Sequence, residues 1–204
     1  MNNLHRIFIA INLTEKLRNS LGALRDKWPE LPARWDKPEN LHVTLFFLGS
    51  VNDQEVCEIC LAANEVGKRH DPFDLTLYRI SYGPPKKHPD DEDEVRPWRP
   101  RMVWVGGRVS EELGALQKDL ESALFEFAGG DYSESGGYGF SPHITLARID
   151  QTGLKNMEAE EIPVIDEEFE RTFLVESFEI MESEMKRGGP VYTVLESVKL
   201  GGEN

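Results

Sequence analysis

Two rhythms of apolar residues run along the chain. "RIFIAINL" (Arg6 to Leu13) carries a short run of branched and aromatic residues and predicts a first strand. "EKLRNSLGALRDKW" changes to helical spacing, with Leu17, Leu21 and Leu24 on one face and Thr14 as the N-cap. "ELPARWDKPEN" reads as a loop, and "LHVTLFFLG" as the second strand. Asn52 or Asp53 caps a helix ending near Arg69, and "FDLTLYRISY" alternates with period two as the third strand.

The same order then recurs. "RMVWVGG" (Arg101 to Gly107) is a strand, and Ser110 caps a helix whose stripe is Leu113, Leu116, Leu120 and Leu124. "GGDYSESGGYGFSP" is a Gly-rich loop and "HITLARI" the next strand. The two helix caps lie 110 − 14 = 96 residues apart. His42 and His143 lie 143 − 42 = 101 apart. This repeat predicts an internal duplication within one two-lobed domain spanning residues 1–204. Its His-x-Thr strands are expected at 41–49 and 142–150. The end of the chain predicts an antiparallel hairpin whose turn is carried by Gly188, Gly189 and Pro190. "GPPKKHPDDEDEVRPWRP" predicts a mobile loop or lobe linker over 84–100.

Charge narrows the function classes. With 23 Lys and Arg against 37 Asp and Glu, the net charge is −14. Proteins that coat nucleic acid by neutralising many phosphates are usually basic, so a broad duplex-binding surface is disfavoured. A site gripping one terminal phosphate with local donors is not. No apolar run approaches the ~20 residues of a membrane helix, and the N-terminal run lacks a cleavage site, so a soluble cytoplasmic protein is expected, and it is taken as a monomer. Cys57 and Cys60 form a single Cys-x-x-Cys pair on a helix. Without a second pair, they read as small apolar residues rather than half of a zinc site.

The chemistry lies in the two His-x-Thr strands. Residues i and i+2 of a strand share a face. His42 and Thr44 should therefore point together, with Phe46 and Leu48, while Leu41, Val43, Leu45 and Phe47 fill the other face. His143 and Thr145 likewise point together. A pseudo-twofold axis would bring both pairs to one groove, around a single small anion. One neutral imidazole can take a proton from water while the other, protonated, gives one to a departing oxygen, since a free histidine titrates near ~6.5. The hydroxyls can donate to non-bridging phosphate oxygens. No cofactor is called for, and no metal-ligand or phosphate-loop motif occurs. His5, His70 and His88 lack this context and read as surface residues.

The paired "HVTL" and "HITL" resemble the signature motifs of the two-histidine (2H) phosphoesterase superfamily. Together with "RIFIAINL", "RMVWVGG", "SPHITLAR" and "FEIMESEMKRGGPVYTVLESVKL", the pattern is similar to the RNA 2′,3′-cyclic phosphodiesterases, also described as 2′-5′ RNA ligases. The resemblance covers nearly the whole chain. It implies an α+β fold of two pseudo-symmetric lobes. Each would be an antiparallel sheet with helices on its outer face, and the two would face across a central groove. It implies metal-independent opening of RNA 2′,3′-cyclic phosphate ends to 2′-phosphates, with 2′-5′ joining as the reverse. His143 would accept the proton from water and His42 would donate to the 3′ oxygen. Thr44, Thr145 and Arg148 would hold the phosphate. Arg148 lies five residues from His143, so a regular strand would aim it away from the groove. Phe8 and Tyr192 are candidate contacts to ribose or base, or ordinary strand aromatics. A non-catalytic RNA-end or nucleotide binder is the alternative of another class. Within the same chemistry, 2′-5′ oligoadenylate or a small cyclic phosphate are the alternative substrates.

Overall fold

The computed structural model describes residues 4–84, 100–128 and 140–201. His88, the interior of the acidic connection and the Gly-rich stretch 129–139 lie outside them. The described strands are β1 (Leu4–Asn12), β2 (Ala33–Trp35), β3 (His42–Asn52), β4 (Phe73–Gly83), β5 (Met102–Gly107), β6 (His143–Ile149), β7 (Asp166–Val175), β8 (Ser177–Lys186) and β9 (Gly189–Lys199). The helices are α1 (Glu15–Gly22), α2 (Asp53–Gly67), α3 (Glu111–Leu124) and α4 (Gln151–Lys155).

The strands run β7-β4-β5-β6-β3-β1-β8-β9, with β2 added to β6. All pairings are antiparallel. The path divides into two halves, β3-β1-β8-β9 and β7-β4-β5-β6. They meet at one registered pair, Val43 opposite Ile144. The fold is thus α+β with two sheet halves, but the halves are not consecutive stretches of chain. The strand 73–83, which comes after the first repeat in sequence, pairs with β5 and β7 of the second half. The terminal hairpin returns to pair with β1.

Helix starts obey their cap residues. Thr14 and Ser110 accept from the backbone N–H three residues on. Asn52 closes a full capping box with Glu55. Leu113, Leu116, Leu120 and Leu124 are fully buried, and they join Val43, Ile144 and the α2 residues Ile59, Ala63 and Val66 in one core. α1 is shorter than its apolar spacing predicts. It passes at Ala23 into a 3-10 turn ending at Lys27. "ELPARWDKPEN" is not all loop, since it holds β2 and a 3-10 turn at Pro38–Asn40. At the hairpin, Lys186 pairs with Gly189, whose φ of 108° suits glycine, and Pro190 already belongs to β9.

Two histidines expected to be plain surface residues are partnered. His5 meets Glu182 at 2.7 Å and Asp53 at 2.8 Å, tying β1 to β8 and to the start of α2. Both carboxylates raise its pKa, that of Glu182 most. His70 meets Asp119 at 3.0 Å. Among the described residues, no helix is long and apolar enough to cross a membrane.

Candidate active site

The Val43–Ile144 pair sets the geometry. Antiparallel pairing at that point places His42 across from Thr145 and Thr44 across from His143, all four on one face. The two imidazoles therefore stand on one diagonal, and the two hydroxyls on the other. Diagonal neighbours of a regular pair lie about 7–8 Å apart, which leaves room for one phosphoryl group between them.

Each strand then breaks its alternation at the same point. In β3, Ala10 faces Thr44 and Ile9 faces Phe46, so Leu45 has no partner. In β6, Trp104 faces Thr145 and Val103 faces Ala147, so Leu146 has none. Each extra residue is a β-bulge, and it reverses the parity of the residues after it. Phe46 and Leu48 are consequently buried at 2% and 1% exposure, not in the groove with His42 as strict alternation predicts. Phe47, expected on the opposite face, is 60% exposed and lines the groove. The same reversal brings Arg148 to the groove beside His143 and Thr145, resolving its awkward spacing.

The two imidazoles are held alike. Nδ1 of His42 lies 2.7 Å from the Asn40 carbonyl, and Nδ1 of His143 lies 2.8 Å from the Ser141 carbonyl. A carbonyl only accepts, so each Nδ1 carries a hydrogen and each Nε2 is left for chemistry. Aromatic walls complete the holders. His42 sits 5.0 Å from the Phe8 ring and 5.3 Å from the Tyr192 ring. Trp104 stacks on His143 at 3.8 Å and 22°. Burial lowers both histidine pKa values. For His42, with Arg148 and His143 adding to the effect against the Asn40 hydrogen bond, the value falls to about 4. Both lowered values favour neutral rings near pH 7.

Arg148 is held in turn by Asp36, which accepts a hydrogen bond from Nη1. The bulge helps to place this partner, because the Leu146 carbonyl accepts the Asp36 N–H at 2.8 Å. Burial pushes the Asp36 pKa up, outweighing Arg148 and Arg34, which lower it. The groove encloses about 560 Å³. All seven residues singled out in the sequence line it: Phe8, His42, Thr44, His143, Thr145, Arg148 and Tyr192. Phe8 is only 3% exposed, so it packs beneath His42 with Tyr192, Ala10 and Met181. Sequence reasoning missed Arg6, Arg34, Asp36, Phe47 and Trp104. Phe47 had a readable signal, since "LFF" after the threonine already breaks period two.

Comparison with known proteins finds relatives and structures similar over nearly the whole chain. Residues 7–90 match the family described as LigT like Phosphoesterase. The chain is 30% identical over 207 residues to a protein of Thermus thermophilus named RNA 2′,3′-cyclic phosphodiesterase, covering 98% of this chain and 92% of that one. A crystal structure of TT0787 from Thermus thermophilus superposes with a TM-score of 0.77 at 29% identity, covering 98% of this chain and all of that one. The structure of Escherichia coli LigT complexed with 3′-AMP superposes with a TM-score of 0.73 at 27% identity, covering 97% of this chain and 99% of that one.

Proposed function

The chain belongs to the LigT-like phosphoesterase family, and from that premise we propose that it hydrolyses RNA 2′,3′-cyclic phosphate ends to 2′-phosphates by paired histidine acid–base catalysis without a metal. The observation that carries this reading is the matched tethering of His42 and His143, each with Nδ1 on a carbonyl and with no hydrogen bond at Nε2 among the described residues.

The cyclic diester enters between the imidazoles, its non-bridging oxygens toward Thr44, Thr145 and Arg148. Nε2 of His143 takes a proton from water as the water oxygen bonds to phosphorus. The P–O3′ bond breaks, and the protonated His42 gives its proton to O3′, leaving a 3′-hydroxyl and a 2′-phosphate. Burial favours neutral His42, so the incoming anion supplies its proton affinity, as a negative charge beside an imidazole does. The threonine hydroxyls and the guanidinium meet the charge that grows on the five-coordinate phosphorus. The same sequence with a 5′-hydroxyl in place of water joins ends through a 2′-5′ bond: His143 takes the hydroxyl proton, the 5′ oxygen bonds to phosphorus, and O3′ leaves with the proton from His42. Water at high concentration favours hydrolysis.

The test is incubation of an oligoribonucleotide bearing a 2′,3′-cyclic phosphate with the protein in excess EDTA. A 2′-phosphate product is expected, with His42→Ala and His143→Ala each losing most of the rate. A 3′-phosphate product, or a fully active His42→Ala protein, would refute the mechanism.

A further inference from the structure

The pseudo-twofold relation between β3 and β6 is broken in one direction, and that asymmetry points to where the rest of the RNA lies. Position for position, His42, Thr44 and Phe47 correspond to His143, Thr145 and Arg148. The residue turned into the groove by the bulge is thus an exposed aromatic on one strand and a carboxylate-held arginine on the other. Arg148 extends the phosphate site. Phe47 cannot hold a phosphate, but it offers a flat apolar face, 60% exposed, with Phe8 behind it at a ring separation of 6.0 Å.

The row continues on β1. Ala10, Phe8 and Arg6 share the groove face at period two. Arg6 lies beyond Phe8, exposed and lining the groove, and its charge is felt by Tyr192. Among the described residues Arg6 enters no ion pair, unlike Arg148, although the chain has a large excess of carboxylates. Leaving the His–Thr quartet along this side, a ligand meets an exposed ring and then an unneutralised guanidinium. On the other side, Trp104 and Met102 stand where β1 has Ala10 and Phe8, and the further arginine there, Arg34, is close enough to the Asp36 carboxylate to lower its pKa.

Resting on the phosphodiesterase reading above, we propose that the terminal nucleobase stacks on Phe47 and that Arg6 binds the internucleotide phosphate preceding it. The substrate is then a single-stranded RNA end with at least one internal phosphodiester, not an isolated nucleoside cyclic phosphate. The chain leaves the groove over β1 and β3. Base stacking on an aromatic is tolerant of sequence because every base has a π face, so this subsite selects length rather than base identity.

The experiment compares kcat/KM for a trinucleotide and a nucleoside, each ending in a 2′,3′-cyclic phosphate, across a salt series. The wild-type protein prefers the trinucleotide. Arg6→Gln lowers the trinucleotide-to-nucleoside ratio about tenfold and flattens the salt dependence for the trinucleotide by about 0.7 in log–log slope, one single-strand phosphate contact. Phe47→Ala raises KM about tenfold for both substrates, the loss of one stacked base, and Phe47→Tyr restores it. Equal kcat/KM for the two substrates, or an unchanged ratio in Arg6→Gln, overturns the proposal while leaving the reaction intact. No turnover of either substrate by the wild-type protein overturns the phosphodiesterase reading and this one with it.

Discussion

His42 and His143 each owe their orientation to the carbonyl two residues before them, and their acidity to burial against aromatic rings. This makes proton affinity depend on what fills the groove. In the free protein His42 holds its proton only below about pH 4, and the His143 pKa is also lowered. A bound diester anion stabilises both protonated imidazoles, so both pKa values rise on binding. The pH profile of kcat/KM reports the free protein and that of kcat the complex. Both limbs of the kcat profile are therefore expected at higher pH than those of kcat/KM, as measured by steady-state rates across a buffered pH series. Superimposed profiles would mean that the substrate charge does not reach the imidazoles. At this scale the sequence is informative, because a polar pair repeated inside two apolar strands has few structural uses. The tethers are not legible: any residue at 40 or 141 supplies a carbonyl, so side-chain identity carries no signal. Asp36 is hidden for another reason, since its contact with Arg148 spans 112 residues and depends on β2 pairing with β6.

At the scale of strands and helices, capping is legible at Thr14, Asn52 and Ser110 because these are local hydrogen bonds. The bulges at Leu45 and Leu146 are not, because period-two reasoning assumes an unbroken ladder. One added residue misassigns Phe46, Phe47 and Leu48 together and makes Arg148 look misplaced. A second element-level device supports His143 from behind. A Cβ on Gly83 would lie 2.2 Å from Cδ2 of Trp104, the ring that stacks on His143. Gly83→Ala must displace that ring, and forcing extra atoms into a packed site costs about 1–3 kcal/mol. The expected outcome is a lower melting temperature together with a fall in kcat/KM of about tenfold. Wild-type kcat/KM in the variant would show that Trp104 does not position the imidazole.

Across the whole molecule, the two sheet halves are not consecutive stretches of chain. β4 completes the half that contains β5 and β7, and the β8–β9 hairpin completes the half that contains β1 and β3. Strand exchange of this kind leaves no trace in local pattern, which is why the linear repeat suggests simple consecutive lobes. A fragment of residues 1–98 lacks the partners of β4 on both sides and the β8 partner of β1. It is expected to show no cooperative thermal transition by circular dichroism, whereas co-expression with residues 99–204 should restore one. A fragment 1–98 that melts cooperatively alone would contradict the shared architecture. The single Val43–Ile144 junction has a further consequence. The span between the His42 and His143 imidazoles is gauged by main chain, independent of the surrounding walls. If the proposed reaction holds, hairpin, β2 and loop residues can therefore diverge and admit different RNA ends while the distance across the reacting phosphorus stays the same.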